Sequence, residues 1–289
     1  MKSEVRDRKS EIRSRTVLLL VLILVFLIGN SARGQTTTTI LLTTGQQIDA
    51  LGVRREGDMI LAKVQVGTGS GEVGYHIPQI AKIEFPEPRG LKEASDLLSR
   101  GEPDKAIAEI NQVVAFYEPF KDVPGAWWAQ AALIKVSALS ALQRDAEAES
   151  LAGQIEKIVA DPETARAARL RLAAGLIRKD EFEKAANICD SAIKQSTRPD
   201  ILADAWTKKG DLLFAEKKWD EALIAYLHVP IFFPDEKISL PPALLGSARS
   251  YSRLDDNEHA QKTLAELIQT FPKSAEATAA QAEIQKIRQ

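Results

Sequence analysis

Three histidines, one cysteine, a glycine run and a few paired acids are the residues of this 289-residue chain whose types could do chemistry. His76, His228 and His259 could ligate a metal or act as bases, but they are scattered and lack a carboxylate or cysteine at ligand spacing. Gly67, Gly69, Gly71 and Gly74 could cradle a phosphate only if a helix followed, and strand-like residues come next, so a hairpin tip is expected. The lone Cys189 sits in an apolar helical context and reads as core filling. Glu147/Glu149 and Asp255/Asp256 read as solvated surface, since adjacent acids are far more often solvent-facing than catalytic. These residues predict no catalytic centre, no metal and no cofactor, and leave binding as the function to explain.

The elements that must position a binding surface are helical. Ala106, Ala148, Ala185, Ala222 and Ala260 recur at gaps of 42, 37, 37 and 38 residues. Their contexts are alike: Pro-Asp-Lys-Ala, Glu-Phe-Glu-Lys-Ala, Lys-Trp-Asp-Glu-Ala and Asn-Glu-His-Ala precede four of them, each reading as the start of a second helix. A period near 34 residues is the mark of stacked helix pairs. Pro162, Pro199, Pro234 and Pro272 punctuate the units. Asp161-Pro162-Glu163 has the form of a helix start. Gly210 and Ala222 allow close approach of helix backbones. An unrelated helical bundle is the alternative, though bundles need no register this regular.

In residues 203–236, Trp206, Gly210, Leu213, Ala222, Tyr226 and Pro234 resemble the tetratricopeptide repeat. The next unit keeps Ala248, Tyr251, Ala260, Leu264 and Pro272, and the preceding one keeps Ala173, Leu176, Ala185 and Ala192 with Cys189 in place of an aromatic. The resemblance implies a mainly α protein: a solenoid of about five helical hairpins over 87–289. It also implies a concave groove lined by first helices, facing Leu133, Ser137, Leu170, Ile177, Phe214, Leu245, Arg249 and Arg253. The family's Lys/Asn carboxylate clamp is missing, so the implied ligand is an apolar peptide or helix of a protein partner. Arg249 and Arg253 share a helix face and could fix its direction, or could pair with Asp255 and Asp256.

Residues 1–34 combine a Lys/Arg-rich leader with the run VLLLVLILVFLI at 17–28 and small residues after it. This predicts an export signal cleaved before Gln35 or an uncleaved inner-membrane anchor. Either places the body in the periplasm or cell envelope of a bacterium. The formal charge of −2 becomes more negative without that leader, which argues against a nucleic-acid role. Residues 36–86 are rich in Thr, Val, Ile and Gly and predict five short strands at 40–42, 48–53, 59–66, 73–77 and 80–85. The string Leu42 to Ile48 with Gly52 resembles an Sm-like or Src-homology-like barrel, which implies a small five-stranded barrel-like module. The functional classes in play are an envelope adaptor binding another protein, a self-associating structural oligomer, and an enzyme without a visible site.

Overall fold

The computed structural model describes residues 38–287; the leader and its export reading lie outside them. The chain opens with β1 (Thr38–Leu42), β2 (Gln47–Ala50), β3 (Gly52–Glu56), β4 (Met59–Val66), β5 (Gly69–His76) and β6 (Ile80–Glu84). They form two antiparallel three-stranded sheets, ordered β2-β1-β6 and β3-β4-β5. The expected five-stranded barrel is corrected on two points. The run 48–53 is two strands, because it bends at Leu51, whose N–H donates to the Lys63 carbonyl at 2.7 Å. Its first half pairs with β1 and its second half with β4, and the sheets stay open rather than closing. Of the glycines, Gly67 (φ 57°) makes the turn while Gly69, Gly71 and Gly74 lie within β5, so strand follows where a phosphate site requires a helix.

Alternation sends Ile40, Ile60, Ala62 and Ile83 inward. That interior is continuous with the first helices, since Leu91, Ile110 and Trp128 belong to the same apolar cluster. The segment between the second and third helices clasps the strands. The Ile83 N–H donates to the Pro124 carbonyl at 2.8 Å, and Trp127 Nε1 donates to the Phe85 carbonyl at 3.2 Å. The Arg55 guanidinium donates to the Pro119 carbonyl at 2.8 Å and pairs with Asp122. Gly125, at φ 89°, lets the backbones touch: a Cβ there would sit 2.2 Å from the Ile83 carbonyl oxygen.

The helices are α1 (Arg89–Ser99), α2 (Pro103–Tyr117), α3 (Trp128–Ala141), α4 (Asp145–Ile158), α5 (Pro162–Leu170), α6 (Ala173–Arg178), α7 (Phe182–Gln195), α8 (Pro199–Ala215), α9 (Trp219–Phe232), α10 (Leu240–Arg253), α11 (Asn257–Thr270) and α12 (Ala275–Ile287). They stack as the hairpins α1–α2, α3–α4, α5/α6–α7, α8–α9 and α10–α11, followed by α12. Ala106, Ala148, Ala185, Ala222 and Ala260 are all buried near the start of a second helix, as their spacing predicts. Asp161 caps α5, accepting from the N–H groups of Glu163 and Thr164.

Five residues before each of those alanines stands a left-handed residue: Gly101, Gln143, Asp180, Lys217 and Asp255, with φ between 58° and 74°. At each turn two N–H groups reach back to orphan carbonyls of the first helix, as Lys217 does to Phe214 and Lys218 to Leu213. This is the helix-ending motif that normally favours glycine, and only the first turn uses one.

Packing is also tight around α9. The buried Tyr226 ring is wedged between Gly210 of α8 and Gly246 of α10, and a Cβ would meet it at 2.5 Å and 2.3 Å respectively. The hydroxyl donates to Asp211 Oδ1 at 2.9 Å. Burial raises its pKa, and the neighbouring carboxylate adds to the shift.

Candidate functional site: the faces of the helical stack

The eight residues assigned to a groove divide into three sets. Leu170 and Leu245 are buried and fill the interior between helix pairs, so the apolar surface they were expected to offer goes into packing instead. Leu133, Ser137 and Ile177 are half-buried; Leu133 packs against two apolar clusters, and the Ser137 hydroxyl donates to the Leu133 carbonyl at 3.1 Å. Phe214, Arg249 and Arg253 reach the surface where α8, α9 and α10 come together. Phe214 meets Trp219 edge-on at 4.7 Å, and the Arg253 guanidinium lies over the other aromatic partner, Trp219, at 5.4 Å.

The alternative pairing of the arginines with Asp255 and Asp256 does not form among the described residues. Arg249 Nε donates instead to Glu283 of α12 at 2.9 Å. Asp256 caps α11 and accepts from the His259 N–H, which holds its carboxyl below the ordinary value; the contact with the His259 ring is the larger cause. The arginine pair is therefore a link between successive units at one end and an aromatic-backed cation at the other.

One further charge pair ties first helices together, and another lies within α8. Arg171 pairs with Asp204, and Lys208 lies 3.4 Å from Asp211, which also accepts from Tyr226. Burial opposes the charge on Lys208, but Asp211 and Asp204 outweigh it and hold the ammonium above its ordinary pKa. Such pairs contribute little net stability at the surface. Where Arg171 meets Asp204, the junction of first helices is polar and already partnered rather than apolar.

A shallow cleft of about 340 Å³ lies between α7 and α8, with Phe182, Ala186, Leu212 and Leu213 among the residues lining it. Its rim cations are engaged, Lys209 with Asp190 at 2.7 Å and Lys218 with Glu216 at 3.2 Å. Among the described residues no group of three or more His, Cys, Asp or Glu could hold a metal. The buried Cys189 thiol is pushed up to about 12 by burial, which makes it inert as a nucleophile at neutral pH. Among the described residues no helix is long and apolar enough to cross a membrane.

The reading of the sequence missed the outer face of α9. Ile224, Ile231 and Phe232 are 60–65 % exposed there, and Ile238 in the following turn is 77 % exposed. His228, between them, stacks on Trp206 of α8 at 3.7 Å, with the rings 10° from parallel. A signal was present: residues 222–234 contain no Asp, Glu, Lys or Arg, so this helix is apolar on the outside as well as the inside.

Residues 242–274, which take in most of α10 and α11, match the family model of the tetratricopeptide repeat. No curated protein matches the chain. Among solved structures the chain is similar to nearly identical TPR-like repeats designated as a Podosopora anserina kinesin light chain. One is a point variant, with 17 % identity over 68 % of this chain and 95 % of that one and a TM-score of 0.40. The other has 18 % identity over the same shares and a TM-score of 0.39. The matched repeat and the helical hairpins described above give a TPR-like architecture, a fold that serves in general as a protein–protein interaction scaffold.

Proposed function

We propose that this chain is a non-enzymatic adaptor of the bacterial cell envelope, holding a peptide or helix of a partner protein against the first-helix face of its repeats. The observation that carries this reading is the platform at the α8–α9–α10 edge. There Phe214 and Trp219 offer apolar area, and Arg253 offers direction to an acidic group, while Arg249 one turn away is held by Glu283 and would have to exchange that partner to join it. The envelope setting draws its support from the basic leader and apolar run of residues 1–34.

Changing Arg249 and Arg253 together to Ala tests the platform. Both are exposed, so folding should stay within about 1 kcal/mol of wild type, while recovery of crosslinked partner from envelope extracts should fall to background. Undiminished recovery would refute the platform. Intact mass of the envelope-localised protein tests the setting: a chain beginning near Gln35 supports a cleaved signal, retention of Met1 in the membrane fraction supports an anchor, and a purely cytoplasmic protein overturns both.

A further inference from the structure

We infer that the outer face of α9 is a second docking surface, and that its occupant is an apolar helix of another protein carrying basic residues at both ends of its apolar stripe. The inference shares with the proposed function only the premise that the chain is a scaffold; it concerns a different face.

Ile224, His228, Ile231 and Phe232 follow the spacing i, i+4, i+7 and i+8, so they form one stripe along the helix, and Ile238 is exposed in the turn that follows. Exposed apolar residues scattered singly need no explanation, but a run of them on one face does. The stripe is also braced. Trp206 lies beneath His228, whose Nδ1 is 2.8 Å from the Ile224 carbonyl oxygen, so the surface is set in place before anything binds.

Charge identifies the occupant. Asp220 and Glu221 stand one turn before Ile224 on the same face, and Asp235 and Glu236 follow Phe232; among the described residues none of the four is in an ion pair, although Lys217 precedes the first pair of acids and Lys237 follows the second, while Lys218 is engaged by Glu216. At the second end the Glu236 carboxyl is held above its ordinary pKa, chiefly by burial and next by the nearby carboxylates of Asp200 and Asp235, with Arg198 opposing the rise. From Glu221 to Phe232 the helix rises about 16 Å. A complementary helix therefore has an apolar stripe of about three turns with Lys or Arg at each end. A second copy fits poorly, because an antiparallel pair of α9 helices would set Asp220 and Glu221 of one against Asp235 and Glu236 of the other. An anionic bilayer meets the same repulsion.

The test uses the full chain and a labelled Leu/Ala-rich helical peptide with two lysines at each end, compared with its glutamate-ended counterpart by fluorescence anisotropy. The lysine-ended peptide should bind at least about tenfold tighter, and the preference should weaken with salt. Ile231→Asp, or Phe232→Asp if the first variant melts early, should weaken binding by about tenfold or more. Asp235→Lys with Glu236→Lys should reduce or reverse the preference, and Arg249→Ala with Arg253→Ala should leave it unchanged, which separates this surface from the groove. No binding up to about 1 mM, equal binding of both peptides, or indifference to Ile231→Asp would overturn the inference. So would self-association, or binding to phosphatidylcholine vesicles, that Ile231→Asp abolishes.

Discussion

Replacing Gly246 by Ala should destabilise the stack by about 2 kcal/mol, although alanine is the better helix former. Alanine gains about 1 kcal/mol over glycine inside a helix. Against that, the new Cβ would sit 2.3 Å from Tyr226 Cζ and 2.4 Å from Cε1, where carbon atoms ordinarily rest about 3.5–4.0 Å apart. The ring cannot retreat, because the Gly210 backbone of α8 packs so closely on it that a Cβ there would fall 2.5 Å away, and Asp211 holds its hydroxyl at 2.9 Å. Overpacking of this kind costs about 1–3 kcal/mol, and a shortfall of more than an ångström with both exits closed belongs at the upper end. Urea denaturation should show the midpoint falling by about 1 M, for a slope near 2 kcal/mol/M.

The background Tyr226→Leu sharpens the test, since leucine lacks the Cε and Cζ atoms that Gly246 would strike. In it, Gly246→Ala should become neutral or stabilising by up to about 1 kcal/mol, giving a coupling of about 2–3 kcal/mol between the two positions. Gly210→Ala should be rescued less, because its contacts include Cγ and Cδ1, which leucine retains. An equal cost of Gly246→Ala in both backgrounds would refute the wedge as the reason for glycine at this site.

Gly125→Ala should cost about 3 kcal/mol or more, combining a left-handed backbone with a backbone clash on Ile83; loss of hydrogen-exchange protection at the Ile83 amide would report it, and retained protection would contradict it. Lys217→Gly should stabilise by about 0.5–1 kcal/mol by relieving a positive φ that glycine adopts freely, read as a higher melting temperature. The hydrogen bond from Arg55 holds the Asp122 carboxyl below its ordinary pKa. Its stabilisation of the β-module docking is therefore fully present above about pH 4 and lost as pH falls through the lowered folded value. Asp122→Asn should flatten that acid-side loss in a pH series of melts, and an unchanged profile would rule the pair out as its cause.

The alanine register was legible in the sequence, because a close helix contact constrains one position strongly and repeats with the unit. Capping at Asp161 and the halt of strands before residue 86 were legible for the same local reason, in that a few neighbouring residues decide them. The left-handed turn residues were not. Gln143, Asp180, Lys217 and Asp255 share no side-chain chemistry, and what they share is a backbone conformation imposed by the helix that must follow. The opening of the β module also depends on more than strand propensity, since which sheet β3 joins was decided by pairing across the chain at Leu51 and Lys63.

Sequence alone determined that helix pairs stack and roughly where each begins, since periodicity and small residues encode that locally. Only the tertiary structure decided which side chains remain available to a partner. A leucine at a first-helix position can face solvent or the next pair according to the rotation of one hairpin on another, which buried Leu170 and Leu245 and left Ile231 and Phe232 outside. Arg249 illustrates the same point for charge: acids close to it in sequence lay beyond its reach, while Glu283, thirty-four residues away, was brought against it by the stacking of α12.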